Sequence, residues 1–232
     1  GKVQFDLYNV TRTTEGQPVG QFFVYVTDGL FKNAAELAAG PIQEAGTGVG
    51  DIRFKDVNGD GKITAEDRVI LGQTAPKWTG GLTNTFHYKN FHLNVFIQTV
   101  QGLTRNNNDL TYADETGKRN TPIDVGYWTA ENMSQTRPSL AYKNPRGYGY
   151  ASDASFTRIK DVTLSYVFTP TILDKLGLGG LTVYASGRNL YTFTNWIGWD
   201  PESSQSQRGS GDWTNNYPLT RQLVLGLNVS LK

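Results

Sequence analysis

The stretch Leu223-Val-Leu-Gly-Leu-Asn-Val-Ser-Leu231 alternates between large aliphatic residues and residues that are mostly small or polar. Successive side chains of an extended chain point to opposite faces, so this stretch predicts a strand with one aliphatic and one polar face. The same pattern recurs in residues 91–101 and 156–168, and it begins again at residue 181. The repetition predicts an all-β, antiparallel fold built from long strands.

Two-faced strands of this length fit two architectures. One is an antiparallel sheet with one face in water and the other on a core. The other is a transmembrane β-barrel with lipid outside and water inside. The polar positions carry Asn, Gln, Thr, Ser and Gly more than Lys or Glu, and residues 102–152 and 195–220 form long polar segments that suit large extracellular loops. Both features favour the barrel.

The number of strands indicates an incomplete barrel. About six or seven strands are visible, whereas bacterial barrels have at least about eight, in even number. Because an open sheet edge is not tolerated in lipid, we expect another segment to close the edges. Gly1-Lys-Val-Gln-Phe5 begins as if it were already inside a strand, so we interpret the N-terminus as a processed or cut end.

The composition excludes several classes of function. The 232 residues include 22 basic and 21 acidic side chains, a formal net charge of +1, which gives no electrostatic footprint for nucleic acid. Cys is absent, and two histidines, His87 and His92, leave little scope for a His-rich metal site. No apolar run reaches the roughly 18 residues of a transmembrane helix. No Gly-x-Ser-x-Gly, P-loop or Rossmann pattern indicates an enzyme.

A calcium-loop-like insert lies within residues 50–72. The dodecamer Asp56-Val-Asn-Gly-Asp-Gly-Lys-Ile-Thr-Ala-Glu-Asp67 has the spacing of an EF-hand-type loop. The expected oxygen ligands of Ca²⁺ are Asp56, Asn58, Asp60, the Lys62 carbonyl, Thr64 (directly or through water) and Asp67. All of them come from the protein, which leaves no position for a substrate, so we expect a structural ion. The alternative is an Asn-Gly/Asp-Gly turn closed by its own side-chain hydrogen bonds.

Four blocks of sequence carry a family resemblance: "GQPVGQFFVYVTDGLFKNAAEL" (16–37), "GDIRFKDVNGDGKITAEDRVILGQTAPKWTGGLTNTFHYKNFHLNVFIQTVQG" (50–102), "SFTRIKDVTLSYVFTPTILDKLGLGGLTVYASGRNLYTFTNWIGWDPE" (155–202) and "YPLTRQLVLGLNVSLK" (217–232). In this order they resemble the C-terminal part of SusC/RagA-type TonB-dependent outer-membrane transporters. The resemblance implies a barrel of roughly 22 strands with an N-terminal plug, driven by TonB. It also implies a SusD-like lipoprotein lid and the import of glycans, oligosaccharides or peptides.

Three tryptophans, Trp196, Trp199 and Trp213, fall in one loop that is rich in Asn, Ser and Gly. Aromatic faces stack on sugar rings and peptides, so these residues are candidates for contact with the substrate or with the lid. The alternatives are packing within the loop and a membrane-interface girdle.

Charged residues near the same loop leave two questions open. Asp200 and Glu202 are weak evidence for a glycosidase pair, because no cleft or raised pKa is indicated, and we expect no catalytic residue. Arg158, Lys160, Arg188 and Arg221 lie near strand ends, where they either line the lumen or meet lipid headgroups.

The sequence therefore predicts an antiparallel transmembrane β-barrel segment, without a plug, in the outer membrane of a Gram-negative, Bacteroidota-like bacterium. Its expected partners are the remainder of the barrel and plug, a SusD-like lipoprotein, TonB and lipid. Its start within a barrel fits a fragment, a split subunit or a cleaved product. The alternative is a soluble, calcium-stabilised β-sandwich that binds carbohydrate.

Overall fold

The computed structural model describes residues 4–7, 11–107, 126–133, 137–197, 200–202 and 219–232. It has two compact units: unit 1 comprises Gly1–Ala75 and Thr104–Asp153, and unit 2 comprises Pro76–Leu103 and Ala154–Lys232. The elements of unit 1 are β1 (Gln4–Leu7), β2 (Thr11–Thr14), β3 (Gln21–Tyr25), β4 (Thr27–Leu30), α1 (Ala34–Ala39), β5 (Ile52–Phe54), a 3₁₀ turn (Ala65–Asp67), β6 (Arg68–Gln73), β9 (Thr104–Arg105) and β10 (Ser152–Asp153). The elements of unit 2 are β7 (Trp78–Tyr88), β8 (Phe91–Gln101), β11 (Phe156–Val167), α2 (Pro170–Leu176), β12 (Leu178–Thr194) and β13 (Gln222–Leu231). Within the described ranges, neither helix is long and apolar enough to cross a membrane.

Unit 2 is an antiparallel sheet with the strand order β13-β12-β11-β8-β7. Neighbouring strands stay in register over most of their length, so that Thr163 faces Asn94 on one side and Ser186 on the other. The all-β, antiparallel prediction is confirmed. This sheet holds five long strands. Gln21–Tyr25 and Ile52–Phe54, whose apolar character also predicts strands, pair within small sheets of unit 1 instead.

The register sorts the sheet of unit 2 into two chemically different faces. The apolar face includes Leu82, Phe86, Leu93, Val95, Ile97, Val162, Leu164, Val183 and, on β13, Leu223, Leu225, Leu227, Val229 and Leu231. The polar face includes Thr83, Thr85, Asn94, Gln98, Thr163, Ser165, Ser186, Asn228 and Ser230. One irregularity interrupts the pairing of β11 between Ile159 and Asp161, where Lys160 is an extra residue relative to β8.

The connections at the two ends of this sheet differ in length. At one end, β7 and β8 are joined by Lys89 and Asn90 alone, and β11 and β12 by a short segment that contains α2. Asn90 fixes this end, because its side chain donates to the Val167 carbonyl at 2.6 Å and its own carbonyl accepts from Val167 at 2.9 Å. At the other end, residues 102–155 and 195–221 form long connections.

Unit 1 is organised around a small aromatic and aliphatic core. Leu30, Ile52, Phe54, Ile63 and Tyr142 are buried together, with Tyr25, Trp128, Tyr148 and Tyr150 packed against them. Helix α1 begins where the Asn33 side chain accepts from the Glu36 amide at 2.9 Å, which satisfies a donor of the first turn. Ile63 links this core to the calcium-like loop, since it is buried in the middle of that loop.

Candidate functional site

The apolar face of the sheet in unit 2 is exposed, although its residues are large hydrocarbons. Leu223, Leu225 and Leu231 expose 81%, 86% and 80% of their surface. A water-soluble sheet would cover such a face with a second layer, since large contiguous apolar patches mark contact surfaces. The face therefore has the chemistry of a surface made to contact something apolar.

Aromatic residues mark both ends of this apolar face. Near the long connections, Phe193 lies in register with Thr157, Thr99 and Gly80. Near the short connections, Tyr166, Phe91 and Tyr88 share one row, and the Phe91 and Tyr166 rings lie 4.8 Å apart. The rows cross β8 at Thr99 and Phe91, about 27 Å apart along the strand and about 20 Å apart along a membrane normal at the usual barrel tilt. That spacing is close to the roughly 25 Å apolar band of outer-membrane barrels, which aromatic girdles flank.

The polar face is lined by side chains that hydrogen-bond to one another. The Asn94 amide donates to the Thr85 hydroxyl at 3.0 Å. The Thr163 hydroxyl lies 2.9 Å from both Asp161 and Ser186. Hydroxyl, amide and carboxylate groups such as these can face water without a hydrophobic cover, and they can offer hydrogen bonds to polar solutes.

A cluster of four charges, of which Arg158 and Asp200 are buried, fixes the residues that follow β12 to strand β11. The Arg158 guanidinium, 1% exposed, donates to Asp200 at 2.7 Å and to Glu202 at 2.8 Å. Its Nε donates to the Thr192 hydroxyl at 2.8 Å, and the Lys160 ammonium lies 2.8 Å from Glu202. Asp200 also accepts the Glu202 amide at 2.8 Å. The cluster satisfies each buried charge with an opposite charge and further hydrogen bonds, as burial requires.

This cluster answers the question that the sequence left open about Arg158 and Lys160. Both cations bind carboxylates of the segment 200–202, so their main contacts in this structure are within unit 2 itself. Equal spacing in the sequence could have indicated this pairing. Arg158 and Lys160 are two residues apart on a strand, and Asp200 and Glu202 are two residues apart in a loop. Only the fold shows that the two pairs meet.

The calcium-like loop of unit 1 is closed by hydrogen bonds from its backbone to its carboxylates. Asp56 accepts the Gly59 and Gly61 amides at 2.7 and 2.8 Å, and Asp60 accepts the Lys62 amide at 2.8 Å. Gly61, with φ of 78°, occupies the left-handed region that the sharp turn requires. These are the side-chain-to-backbone bonds of Asx turns, as the alternative reading of the sequence expects.

Asp67 is the buried anchor of the loop. Its side chain accepts the Val57 amide at 2.8 Å and the Thr64 amide at 2.6 Å, and it completes a capping box with Thr64. Burial of the Asp67 carboxyl raises its pKa, but the amides of Thr64, Val57 and Asn58 lower it more, so the pKa lies below its ordinary value. The ionised carboxylate is therefore part of the folded loop.

The loop has the oxygen ligands that Ca²⁺ binds, but their side chains are not arranged around one point. Its carboxylate, amide and carbonyl oxygens are the hard ligands that Ca²⁺ prefers. Within the part of the chain that the structure describes, however, no three His, Cys, Asp or Glu side chains converge as a metal-binding group. Asp56, Asp60 and Asp67 instead each hold backbone amides. Calcium binding by this loop stays a prediction.

Comparison with known proteins assigns the family. The chain is 30% identical to TonB-dependent receptor P3 of Formosa agariphila, over 93% of the chain and 22% of that protein. It is 30% identical to TonB-dependent receptor SusC of Bacteroides thetaiotaomicron, over 76% of the chain and 17% of that protein. The fold matches the structure of the RagAB peptide transporter with a TM-score of 0.72 and 23% identity, over 98% of this chain and 25% of that one. The chain belongs to the SusC/RagA-type TonB-dependent receptors.

The resemblance found in the sequence is thereby confirmed, and so is the fold class. The segment spans less than a quarter of the length of the two curated receptors named above. The likeness to RagAB supports the fold: an antiparallel strand wall that forms a segment of a larger barrel. No family model matches the chain.

Of the three tryptophans predicted to contact a substrate or lid, the structure describes Trp196. Trp196 is 7% exposed and packs against Leu103 and Ala154, so it is a core residue of unit 2 in this structure and presents no open face for stacking. Trp199 and Trp213 lie outside the described residues. Contact with a substrate or a lid therefore remains a prediction that depends on those two positions.

Proposed function

We propose that this segment forms part of the wall of an active importer in the outer membrane of a Bacteroidota-like bacterium. Its substrates are glycans, oligosaccharides or peptides, and TonB drives the import through a plug supplied by the rest of the receptor. The segment contributes wall and loops and performs no covalent chemistry. The relatives are receptors and transporters, which is consistent with the absence of a catalytic role.

The observation that carries the proposal is the exposed apolar face with aromatic residues at both of its ends. Lipid is the partner whose chemistry and thickness match it, because barrel strands alternate lipid-facing and lumen-facing residues between aromatic girdles. The hydroxyl and amide face then lines the water-filled lumen. A polar lumen suits the passage of polar molecules such as sugars and peptides.

The connections support an orientation for the wall. Outer-membrane barrels have short periplasmic turns and longer extracellular loops. We therefore assign the end with Lys89, Asn90 and α2 to the periplasm, and the end with residues 102–155 and 195–221 to the cell exterior. Extracellular loops of this length are suited to contact a surface lipoprotein.

The partners follow from the edges of the sheet and from the family. In the described part of the chain, β7 and β13 each pair on one side only. Because unpaired strand edges are not tolerated in lipid, strands from the remainder of the receptor complete the barrel. A SusD-like lipoprotein as the lid is inferred from the likeness to SusC and to RagAB. The comparisons do not favour the soluble carbohydrate-binding alternative.

Ca²⁺ is proposed as a structural clip of the loop from Asp56 to Asp67. Asp56 and Asp60 are in the exposed part of the loop, where their carboxylates can turn toward an ion without breaking a core. Asp67 already organises the loop base, so an ion would add to an existing turn. The clip has no role in the transport step.

A pair of substitutions on β13 tests the lipid-facing assignment. Leu225→Arg places a charge on the apolar face, and this costs about 2–4 kcal/mol near the middle of the bilayer. Asn228→Arg is the matched control, because it places the same side chain on the polar face of the same strand. We expect the first variant to reduce the amount of folded receptor in the outer membrane and the second to be tolerated.

The two readouts separate the wall from the transport activity. Heat-modifiable migration of membrane extracts reports folding of the barrel, and growth on a panel of glycans and peptides as sole nutrient sources, compared with a receptor-deletion strain, reports import. Equal folding of both variants would refute the lipid-facing wall. Normal growth of the deletion strain on the whole panel would refute import while leaving the wall assignment intact.

A further inference from the structure

Two histidines meet at the tip of the β7–β8 hairpin. His87 and His92 are directly opposite in the strand register, one pair away from the turn residues Lys89 and Asn90. Their rings are 4.5 Å apart between centroids and inclined by 83°, and their Nδ1 atoms are in contact. Side chains directly opposite on neighbouring strands have Cβ atoms only about 4.5–5.5 Å apart, so the strand pairing itself enforces the meeting.

The two Nδ1 atoms face each other in contact, so both are close enough to bind one ion. Neutral imidazole nitrogen is the commonest protein ligand of Zn²⁺, Cu²⁺ and Ni²⁺. With metal–nitrogen distances of about 2.0–2.1 Å, two nitrogens of a tetrahedral site lie about 3.3 Å apart. The rings need to separate only slightly to admit an ion, and both lie at a hairpin tip where His87 is exposed and can rotate.

The surroundings hold the backbone of the tip in place but leave the rings available. The turn is fixed by Asn90, which bonds to Val167 on β11 through both its side chain and its backbone. Thr85 and Asn94, the next pair along the same face, bond to each other and not to the imidazoles. The frame is therefore preorganised, which reduces the entropy lost when an ion binds.

We propose that His87 and His92 form a two-imidazole site for a borderline transition-metal ion, with Zn²⁺, Cu²⁺ and Ni²⁺ as the class of ligand. The remaining coordination positions are open to water or to an incoming ligand. The described residues place no further His, Cys, Asp or Glu side chain with this pair as a metal-binding group. Imidazole selects these ions over Ca²⁺ and Mg²⁺, so the site differs in selectivity from the oxygen-rich loop of unit 1.

The test titrates Cu²⁺ into the intact receptor in detergent at neutral pH and records its electron paramagnetic resonance spectrum, which reports bound nitrogens. His87→Gln and His92→Gln each remove one ligand. Thr85→Ala is the matched control, since it alters the same face without touching an imidazole. Loss of one of two linked ligands is expected to weaken binding by roughly 10²-fold, because the second ligand no longer acts at high effective concentration.

The expected result is one equivalent of nitrogen-bound Cu²⁺ that both histidine variants lose and the control retains, with Zn²⁺ but not Ca²⁺ competing. The proposal is overturned if the wild-type receptor binds no such equivalent, or if either histidine variant binds Cu²⁺ as the wild type does. Heat-modifiable migration verifies that each variant is folded. A variant that fails this check is replaced by His87→Asn or His92→Asn, read out in the same way.

Discussion

Replacing Arg158 with Met is expected to release the residues after β12 from the wall. The guanidinium is 1% exposed, and its contacts with Asp200, Glu202 and Thr192 are 2.7, 2.8 and 2.8 Å long. Methionine is also long and flexible but has no donor, so the Asp200 carboxylate, 9% exposed, loses the guanidinium that pairs with it. Removing one partner of a buried ion pair costs about 3–5 kcal/mol.

The loss should appear as local opening. The amides of Glu202 and Leu219 donate to Asp200 and are protected while the cluster holds. At about 1.4 kcal/mol for each factor of ten, a loss of this size speeds their exchange by roughly 100- to 3000-fold. Hydrogen–deuterium exchange of the purified receptor at neutral pH, followed by mass spectrometry of peptides that cover these two residues, measures the change.

Two further variants test whether the buried pair of Arg158 and Asp200 protects these amides. Lys160→Met removes a cation that is 28% exposed, so it should cost no more than about 1 kcal/mol, a roughly fivefold change in exchange. Arg158→Lys keeps a cation beside Asp200 but loses the planar fork of donors, so it should retain part of the protection that Arg158→Met loses. Unchanged exchange in Arg158→Met, or an equal effect of Lys160→Met, would refute the argument.

Three other outcomes are expected. Asp67→Asn should cost about 2–3 kcal/mol of loop stability at neutral pH, measured by exchange of residues 56–67, since it weakens buried hydrogen bonds to a charge. Because the folded pKa of Asp67 is below its ordinary value of 3.8, the wild-type loop should lose this stability as the pH falls below that value, and the variant should not; a parallel pH dependence would contradict this. Asp60→Ala should lower thermal stability and abolish the response to EDTA, whereas a wild type indifferent to EDTA would exclude the calcium clip. Gly226→Val should destabilise the wall by about 1–3 kcal/mol in thermal unfolding, because a Cβ there would overlap the Tyr184 ring, and Tyr184→Ser should relieve the effect.

The long strands could be predicted from the sequence because their alternation is local. Leu223 to Leu231 alternate aliphatic and polar residues, and the strand period of two sends them to opposite faces in any sheet. Helix α1 was also predictable, since Asn33 precedes an Ala-rich run and Gly40 follows it. The family resemblance depended on these same local blocks, and the comparisons confirm it.

The sequence did not show which residues that are distant along the chain contact each other in the fold. Arg158 and Asp200 are separated by 42 residues, and either could have met water, lipid or another charge until the fold placed them together. Trp196 lies in a loop rich in Asn, Ser and Gly and was therefore a candidate binding residue. In the fold, Leu103 and Ala154 pack around it, so it is a core residue.

Local spacing also left the role of the loop from Asp56 to Asp67 undecided. The positions of its oxygens predict calcium, whereas in the structure the carboxylates of Asp56, Asp60 and Asp67 accept backbone amides. By itself, the sequence determined the long strands of unit 2 and the face that each of their side chains takes, because these follow from the backbone period. Only the tertiary structure decided which charges are paired, which aromatics are covered and which histidines touch, because these depend on strand register and long-range contacts.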